Sequence, residues 1–514
     1  MNPLAAALEL HRRPRGRSAS AYAGAELSRL TADWVLASIR SADNEIRWDL
    51  RTLRRRAREL CRNNPHASRF LDVLGANVIG HHGIRFQSTV RTASGDLDVR
   101  NSDRIEEAWA RWGKVGVCTA DGRASWTDVS TLAVQLWAQD GETIVRKLPG
   151  FDNEFGFAVQ ILDADQLDET YNRAPDARRN EIRMGVEMNA WGRPVAYHIW
   201  NRHPQDFQAA DRERVPIPAS EILHIYRPRR AGQSRGVPAL APVMIALHMV
   251  GAYEEAELVA SRVASAKGGF FEQSVEAASE RDKRRASQAP IRMEAEPGVF
   301  DVLPPGWSFS PFAPDHPTSA FRDFRKGILQ SIASGLGPSY NVLANDWEGV
   351  SYNSLRAAAL TDHDIYRGLQ WFVVEHFADP VFLGWLTWAL TTGALELPSR
   401  DPRRWSARRW QPRGWDWVDP EKDLRASAMA LRLKLDSHQR MAAERGLDFF
   451  DVLREHQEAE RMAESLGLEL STDVSRSGAA GGAARDDDAS AELTEFHRNG
   501  NSRHAPALNG NGRR

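Results

Sequence analysis

The chain has 514 residues, 42% hydrophobic and 26% charged, enough to bury extended cores and to suggest about three domains. A formal net charge of −2 excludes a polyanion binder acting by bulk charge, leaving only local basic surfaces as candidates. The two cysteines, Cys61 and Cys118, lie far apart and exclude a disulfide framework or a cysteine-based zinc site, which points to a reducing compartment.

Residues 1–40 read as an extended arm. Arg12, Arg13, Arg15 and Arg17 are interrupted by Pro14 and Gly16, and the short apolar run precedes this basic cluster, the reverse of a signal peptide. A helix is predicted from Asn44 to Arg62, with Leu50, Leu53, Ala57 and Leu60 as its apolar stripe and Arg51, Arg54, Arg55, Arg58 and Arg62 around it. Asn63, Asn64 and Pro65 stop it. A second helix runs from Pro65 to Asn77, and Gly80 and Gly83 turn the chain into a strand at Ile84–Gln87.

Residues 100–235 alternate helical and strand signals. Arg104–Trp112 and Asp128–Asp140 read as helices. Glu142–Lys147, Phe157–Leu162, Ile182–Met188, Pro194–Ile199 and Ile222–Tyr226 read as strands, with a hairpin turn at Gly192–Arg193. A long helix of roughly 40 Å follows, Pro238–Ala266, ended by Gly268 and Gly269. Residues 270–312 are short strands around a charged insertion, Glu280–Arg285.

Helix returns at Thr318–Ser334, then a loop from Gly335 to Tyr352, a long helix from Asn353 to Ala378 and a shorter apolar one to Leu390. The apolar stretch Val381–Leu390 is too short to span a bilayer, which needs roughly 20 residues. Residues 396–418 are rich in Trp, Arg and Pro; Asp423–Ala443 and Phe449–Leu466 read as amphipathic helices. From Ser471 onward large apolar residues nearly vanish, and the tail is expected to be disordered. The whole is α+β and predominantly helical.

Catalytic patterns are few. Gly232-Gln233-Ser234-Arg235-Gly236 fits G-x-S-x-G, the elbow of serine hydrolases, but Arg227, Pro228, Arg229 and Arg230 separate it from the preceding strand. His81 and His82 would point to opposite faces of a strand, and Glu455-His456 lacks the second histidine of H-E-x-x-H. No phosphate-binding loop or dinucleotide fingerprint occurs, and no cofactor is expected. Two other function classes stay open at this level: a hydrolase using Ser234, and a monomeric DNA-binding protein using the Arg51–Arg62 helix. The arginine stripe better suits a solvated or subunit-facing helix surface with nearby Asp and Glu partners than a DNA-facing one. The Trp residues at 405, 410, 415 and 417 suit packing or an interface better than base stacking.

Several motifs, taken in order, resemble the portal proteins of lambda-like tailed bacteriophages. They are Thr31-Ala32-Asp33-Trp34, Ser41-Ala42-Asp43, Arg58-Glu59-Leu60, Arg62-Asn63-Asn64-Pro65, and Val78-Ile79-Gly80 ahead of Gly83-Ile84. Later come Gly232-Gln233-Ser234-Arg235-Gly236-Val237-Pro238, Leu240-Ala241-Pro242, Gly337-Pro338, Tyr340, Leu343, Asp346 and Tyr352 to Ala357, with Trp371 after them. The similarity spans roughly residues 20–465.

The resemblance implies a structural ring subunit without enzymatic activity, a dodecamer at one capsid vertex, around a channel for DNA packaging and ejection. It implies the virion as location, with host cytoplasm during assembly and no membrane. Terminase, scaffold or capsid and head-completion proteins are the implied partners. The implied fold has wing, stem, clip and crown: residues 41–235 mostly wing, 236–269 a stem helix, 270–312 the clip. Residues 313–395 would supply a returning stem helix, tunnel loop and long helix, and 396–468 the crown side, before the tail at 469–514. Channel candidates are then Asn341, Asn345, Asp346, Trp347, Tyr352 and Arg356. Stem candidates are Glu254, Glu257, Arg262, Lys267, Arg325 and Lys326.

Overall fold

A computed structural model describes residues 40–207, 212–265, 269–273, 307–311, 321–415, 420–445 and 447–468. Asp33, Trp34, Lys267, Trp417, the arm, the insertion Glu280–Arg285 and the tail lie outside these residues.

Helix α1 (Ala42–Asn63) begins where the Ser41 hydroxyl accepts the Asn44 N–H, and buries Leu50, Ala57 and Leu60 together with Arg54. Asn64 starts helix α2 (Pro65–Leu74), its side-chain oxygen accepting the N–H of His66 and Ala67 at 3.0 and 3.2 Å, while Pro65 sits where no N–H is needed. Strand β1 (Arg85–Ser88), helix α3 (Val99–Trp112) and helix α4 (Trp126–Asp140) follow. Ser125 and Asp128 cap α4 reciprocally.

Two antiparallel sheets come next. Strand β2 (Thr143–Pro149) lies between β3 (Phe157–Leu162) and β8 (Ile222–Ile225). Strands β4 (Glu181–Arg183), β5 (Val186–Met188), β6 (Pro194–Trp200) and β7 (Arg214–Pro218) form a meander. The three-stranded sheet is buried on both faces. Val145, Phe157, Val159 and Ile225 point into the main core, while Ile144, Leu162 and Ile222 meet Val186, Tyr197, Ile199 and Ile217 of the meander. A strand buried on both sides needs no polar alternation, which is why β2 opens Thr-Ile-Val.

The chain continues through α5 (Met244–Ser265), the paired strands β9 (Gly269–Gln273) and β10 (Trp307–Pro311), α6 (Phe321–Leu336), α7 (Tyr340–Ala344), α8 (Tyr352–Val373) and α9 (Asp379–Thr392). Strand β11 (Arg408–Gln411) pairs with β1, and α10 (Pro420–Arg432) and α11 (His438–Glu444) complete this unit. Residues from Leu447 form a second unit, in which helix α12 (Phe449–Ser465) starts on the Asp448 carboxylate.

The main core draws on α1 to α4, α8, α9 and β11, so segments far apart in sequence share one interior. Its centre is aromatic. Trp109 stacks on Trp112 at 4.8 Å between ring centres and meets Trp126, Trp385 and Trp410 edge-on. The buried indole N–H groups need acceptors, and Trp112 finds the Phe157 carbonyl at 2.9 Å and Trp405 that of Ser399 at 2.8 Å. Trp405 and Trp410 therefore serve packing.

Several elements differ from the sequence expectations. Ile182–Met188 is two strands joined by Met184 and Gly185, both at positive φ, the geometry of a tight hairpin turn. β7 carries Pro216 and Pro218, tolerated because it is a sheet edge. The long helix begins at Met244 rather than Pro238. The expected loop after Gly335 contains the short helix α7. α8 continues into α9 through a π turn at Val374–Ala378, just ahead of Pro380, whose missing N–H breaks the α-helical ladder. Asp423–Ala443 is two helices, because Lys434 takes a left-handed conformation and Ser437 caps a new start. No helix among the described residues is long and apolar enough to cross a membrane.

Candidate functional site: a buried charge junction and the loop before the long helix

Arginines 51, 54 and 58 are spaced to share one face of α1. That face meets acids from three distant segments. Arg54, 1% exposed, pairs with Glu142 at the start of β2, and its guanidinium also donates to the carbonyls of Asp140 and Ala164 at 3.2 and 3.3 Å. Arg58 bonds Asp140 at 2.7 Å, Asp163 at 2.9 Å and Asp165 at 2.8 Å. Arg51 reaches Glu169 at 2.5 Å. Asp163, Asp165 and His203 bring ligand atoms within 4.8 Å of one another, but both carboxylates already hold Arg58.

The second arginine of the junction is Arg235, 0% exposed. Its Nε donates to both oxygens of Glu142 at 2.8 and 3.1 Å, and its Nη atoms to the carbonyls of Met184 at 2.6 Å, Leu167 at 3.2 Å and Ala164 at 3.3 Å. Glu142 further accepts the Gly236 N–H at 2.7 Å and His224 Nε2 at 2.9 Å. Burial pushes its carboxyl up, but Arg235, Arg54 and His224 outweigh burial and hold it well below the usual carboxylate range. Burial likewise pushes His224 down, so the neutral ring donates to an ionised Glu142.

The pattern at 232–236 thus has a structural role. Tyr226 donates to the Gln233 carbonyl at 2.9 Å, and the Gln233 side chain accepts the Arg229 N–H at 2.9 Å and donates to the Arg235 carbonyl at 2.8 Å. The Ser234 N–H donates to Asp43 at 2.8 Å, while Ser234 Oγ is buried with no hydrogen-bond partner among the described residues, and no histidine there is bonded to it. Gly141 sits at φ +90 against Val237, and a Cβ on Gly236 would meet the Gly141 carbonyl, so both positions require glycine. Gly232 needs its residue type for a φ of +75 alone. The chain leaves this locked segment and enters α5.

Asn64 ties the other end of the arrangement, its amide donating to the Leu247 carbonyl of α5 at 3.1 Å; the Asn63 amide donates to Glu59 at 3.2 Å. Glu254 on α5 pairs with Arg325 on α6 and lies 3.9 Å from His66. Glu257 is buried, Arg262 is exposed, and Lys326 Nζ sits 5.7 Å from the Tyr340 ring.

The loop ahead of α8 is bonded mostly to itself. Tyr340 OH donates to Asp346 at 2.6 Å, the Asn341 amide to the Asp346 carbonyl at 2.6 Å, and the Glu348 N–H to Asp346 at 3.2 Å. Asn345 turns the chain at φ 52, and the Trp347 indole donates to it at 3.3 Å. Buried Leu343 and the bonds from Ser339 to buried Asp362 anchor its start; Ser351 caps α8. Trp347 and Tyr352 stay about half exposed, and Arg356 pairs with Asp423 at 3.0 Å.

Sequence reasoning located the arginines, the 232–236 motif and, within another motif, Asp43, but missed Asp140, Glu142 and His224. The spacing of Arg51, Arg54 and Arg58 predicted acidic partners without saying which, since all lie more than 80 positions away.

These charges are spent on holding elements together, which defines a structural subunit. A sequence model described as phage portal protein, lambda family, matches residues 27–370. A probable portal protein of Halomonas phage phiHAP-1 is 37% identical over 86% of this chain and 87% of its own length. The portal protein of Escherichia phage N15 is 23% identical, covering 80% of this chain and 83% of its own, and portal protein B of Escherichia phage lambda is 23% identical, covering 77% and 81%. Among solved structures, the neck of a native gene transfer agent particle aligns with TM-score 0.40 and 11% identity, over 78% of this chain and 93% of that one.

The chain belongs to the lambda family of phage portal proteins. It is a structural component of the phage particle at the capsid vertex, and neither the hydrolase nor the free DNA-binding reading is supported.

Proposed function

We propose that the protein forms a closed homo-oligomeric ring, a dodecamer, through which double-stranded DNA enters the head during packaging and leaves during ejection. The observation carrying this reading is the family match across residues 27–370. In this reading terminase, scaffold or capsid proteins and head-completion proteins dock on the ring, which assembles in the host cytoplasm. A ring of identical subunits needs two different complementary faces on each copy. Residues 41–235 would supply most of the wing, α5 and α6 the stem, β9 and β10 the clip, and 396–468 the crown side.

The segment 345–350 would then face the channel. Most of its bonds are local, although Glu348 also pairs with Arg322 of α6; its Trp347 is about half exposed, and α7 and the Ser351 cap hold its two ends. The channel of a conduit must let DNA slide, and a short, mostly self-bonded loop offers no deep base-reading pocket. Glu254 and Arg325 pair with each other across α5 and α6, so in the stem they would hold two helices together rather than line the channel.

Deleting 345–350 while retaining Leu343 and Ser351 should leave ring assembly intact and reduce DNA packaging or retention in a phage complementation assay. Normal packaging by the shortened protein would overturn the placement of this loop in the channel.

A further inference from the structure

Arg51, Arg54 and Arg58 of α1 are answered by distant carboxylates; a second group of arginines has weak local carboxylate partners or none among the described residues. Between α8, β11 and α11 lies a cleft of about 530 Å³ whose lining includes Arg367, Arg409, Arg413 and Arg440, with Glu444 as its one acid. Along β11, Arg408 pairs inward with Asp379 at 2.8 Å, while Arg409 is exposed with no carboxylate partner among the described residues. Among the described residues Arg413 bonds neutral oxygens, the Ala76 carbonyl and Asn77 Oδ1, and meets no carboxylate. Arg367 and Arg440 have only peripheral partners, Asp364 at 3.1 Å and Asp436 at 3.7 Å, both with highly exposed guanidinium groups.

The wall of the cleft is firm. Gln370 donates to the carbonyls of Asn77 and Arg413 at 3.1 and 3.0 Å, fixing the strand end against α8. Trp415 stacks on His363 with ring centres 4.2 Å apart, and Arg367 lies 5.7 Å from the Trp415 ring. Trp371, 54% exposed, also lines the cleft. Such a surface presents several guanidinium forks at fixed positions beside aromatic faces, the chemistry that takes phosphodiester oxygens. The buried amides lining the cleft, Gln370 and Gln411, already donate to Asn77, Arg413 and Gln87, so the cleft would contact backbone without reading sequence.

We infer that this cleft is a second DNA-contact surface, separate from the loop before α8, that holds the phosphate backbone through Arg367, Arg409, Arg413 and Arg440. The inference rests on the proposed role of the ring as a DNA conduit. It adds a place where DNA is held by charge outside the channel loop.

The test uses the assembled full-length protein and a fluorescent duplex oligonucleotide, with binding followed by anisotropy across a salt series. The double variant R409E/R440E should bind at least about tenfold more weakly at 0.1 M salt, and the slope of log affinity against log salt should shrink by about 2. R409Q/R440Q should fall between the two. R55E/R56E, with the same charge change on exposed positions of α1, should bind as the parent does. Unchanged binding in R409E/R440E, or an equal loss in R55E/R56E, overturns the inference. Size-exclusion chromatography on each variant separates this outcome from failure of the ring itself: rings that form and bind equally sink only the cleft.

Discussion

The charge junction around Glu142 and the loop before α8 are both polar, yet they are built in opposite ways. At the junction every charge is answered by a group more than 80 positions away, and Glu142 and Arg235 are both fully buried. In the loop, the bonds of Asn341, Asn345 and Asp346 reach six positions at most, and Trp347 and Tyr352 remain half exposed. Long-range pairing fixes the angle at which one element leaves another. Short-range pairing shapes a surface and leaves it ready to meet something else.

Breaking the junction should have the largest effect. Glu142→Ala leaves Arg54 and Arg235 buried without their carboxylate, and removal of one partner of such a pair costs about 3–5 kcal/mol. Urea unfolding of the purified chain should register a loss of that size. The sign with pH follows from the same group. Its folded pKa is depressed, so its contribution is present above the unfolded value of 4.5 and disappears as pH falls through the folded value. Glu142→Ala should therefore flatten the acid side of the stability profile; an unchanged profile would mean the junction is not what anchors the fold. A far smaller effect is expected in the loop. Tyr340→Phe removes one hydroxyl bonded to half-buried Asp346, and the unfolding midpoint should not move measurably. A clear drop would mean that the loop, too, is a structural lock.

The same contrast explains what could be read in advance. Local signals carried α1, α4, β3, β6 and the Gly192 hairpin, because caps, periodicity and glycine act within a few residues. The pairing of β1 with β11 was not legible, since Phe86 and Trp410 meet across a separation that no periodicity encodes. Nor was the Met184–Gly185 turn, where a non-glycine residue at positive φ is held by the Asn172 side chain and by Arg235. The break between α10 and α11 was signalled by Ser437, but an apolar run across Leu433 and Leu435 masked it. Arg235 stood out as part of a motif, yet its partner Glu142 emerges only once β2 is in place.

Light scattering coupled to size-exclusion chromatography, with negative-stain images of the main peak, tests the central claim most directly. Closed rings with an open centre are the predicted result. A chain that stays monomeric, both alone and when co-expressed with the capsid and scaffold proteins of its phage, would contradict it.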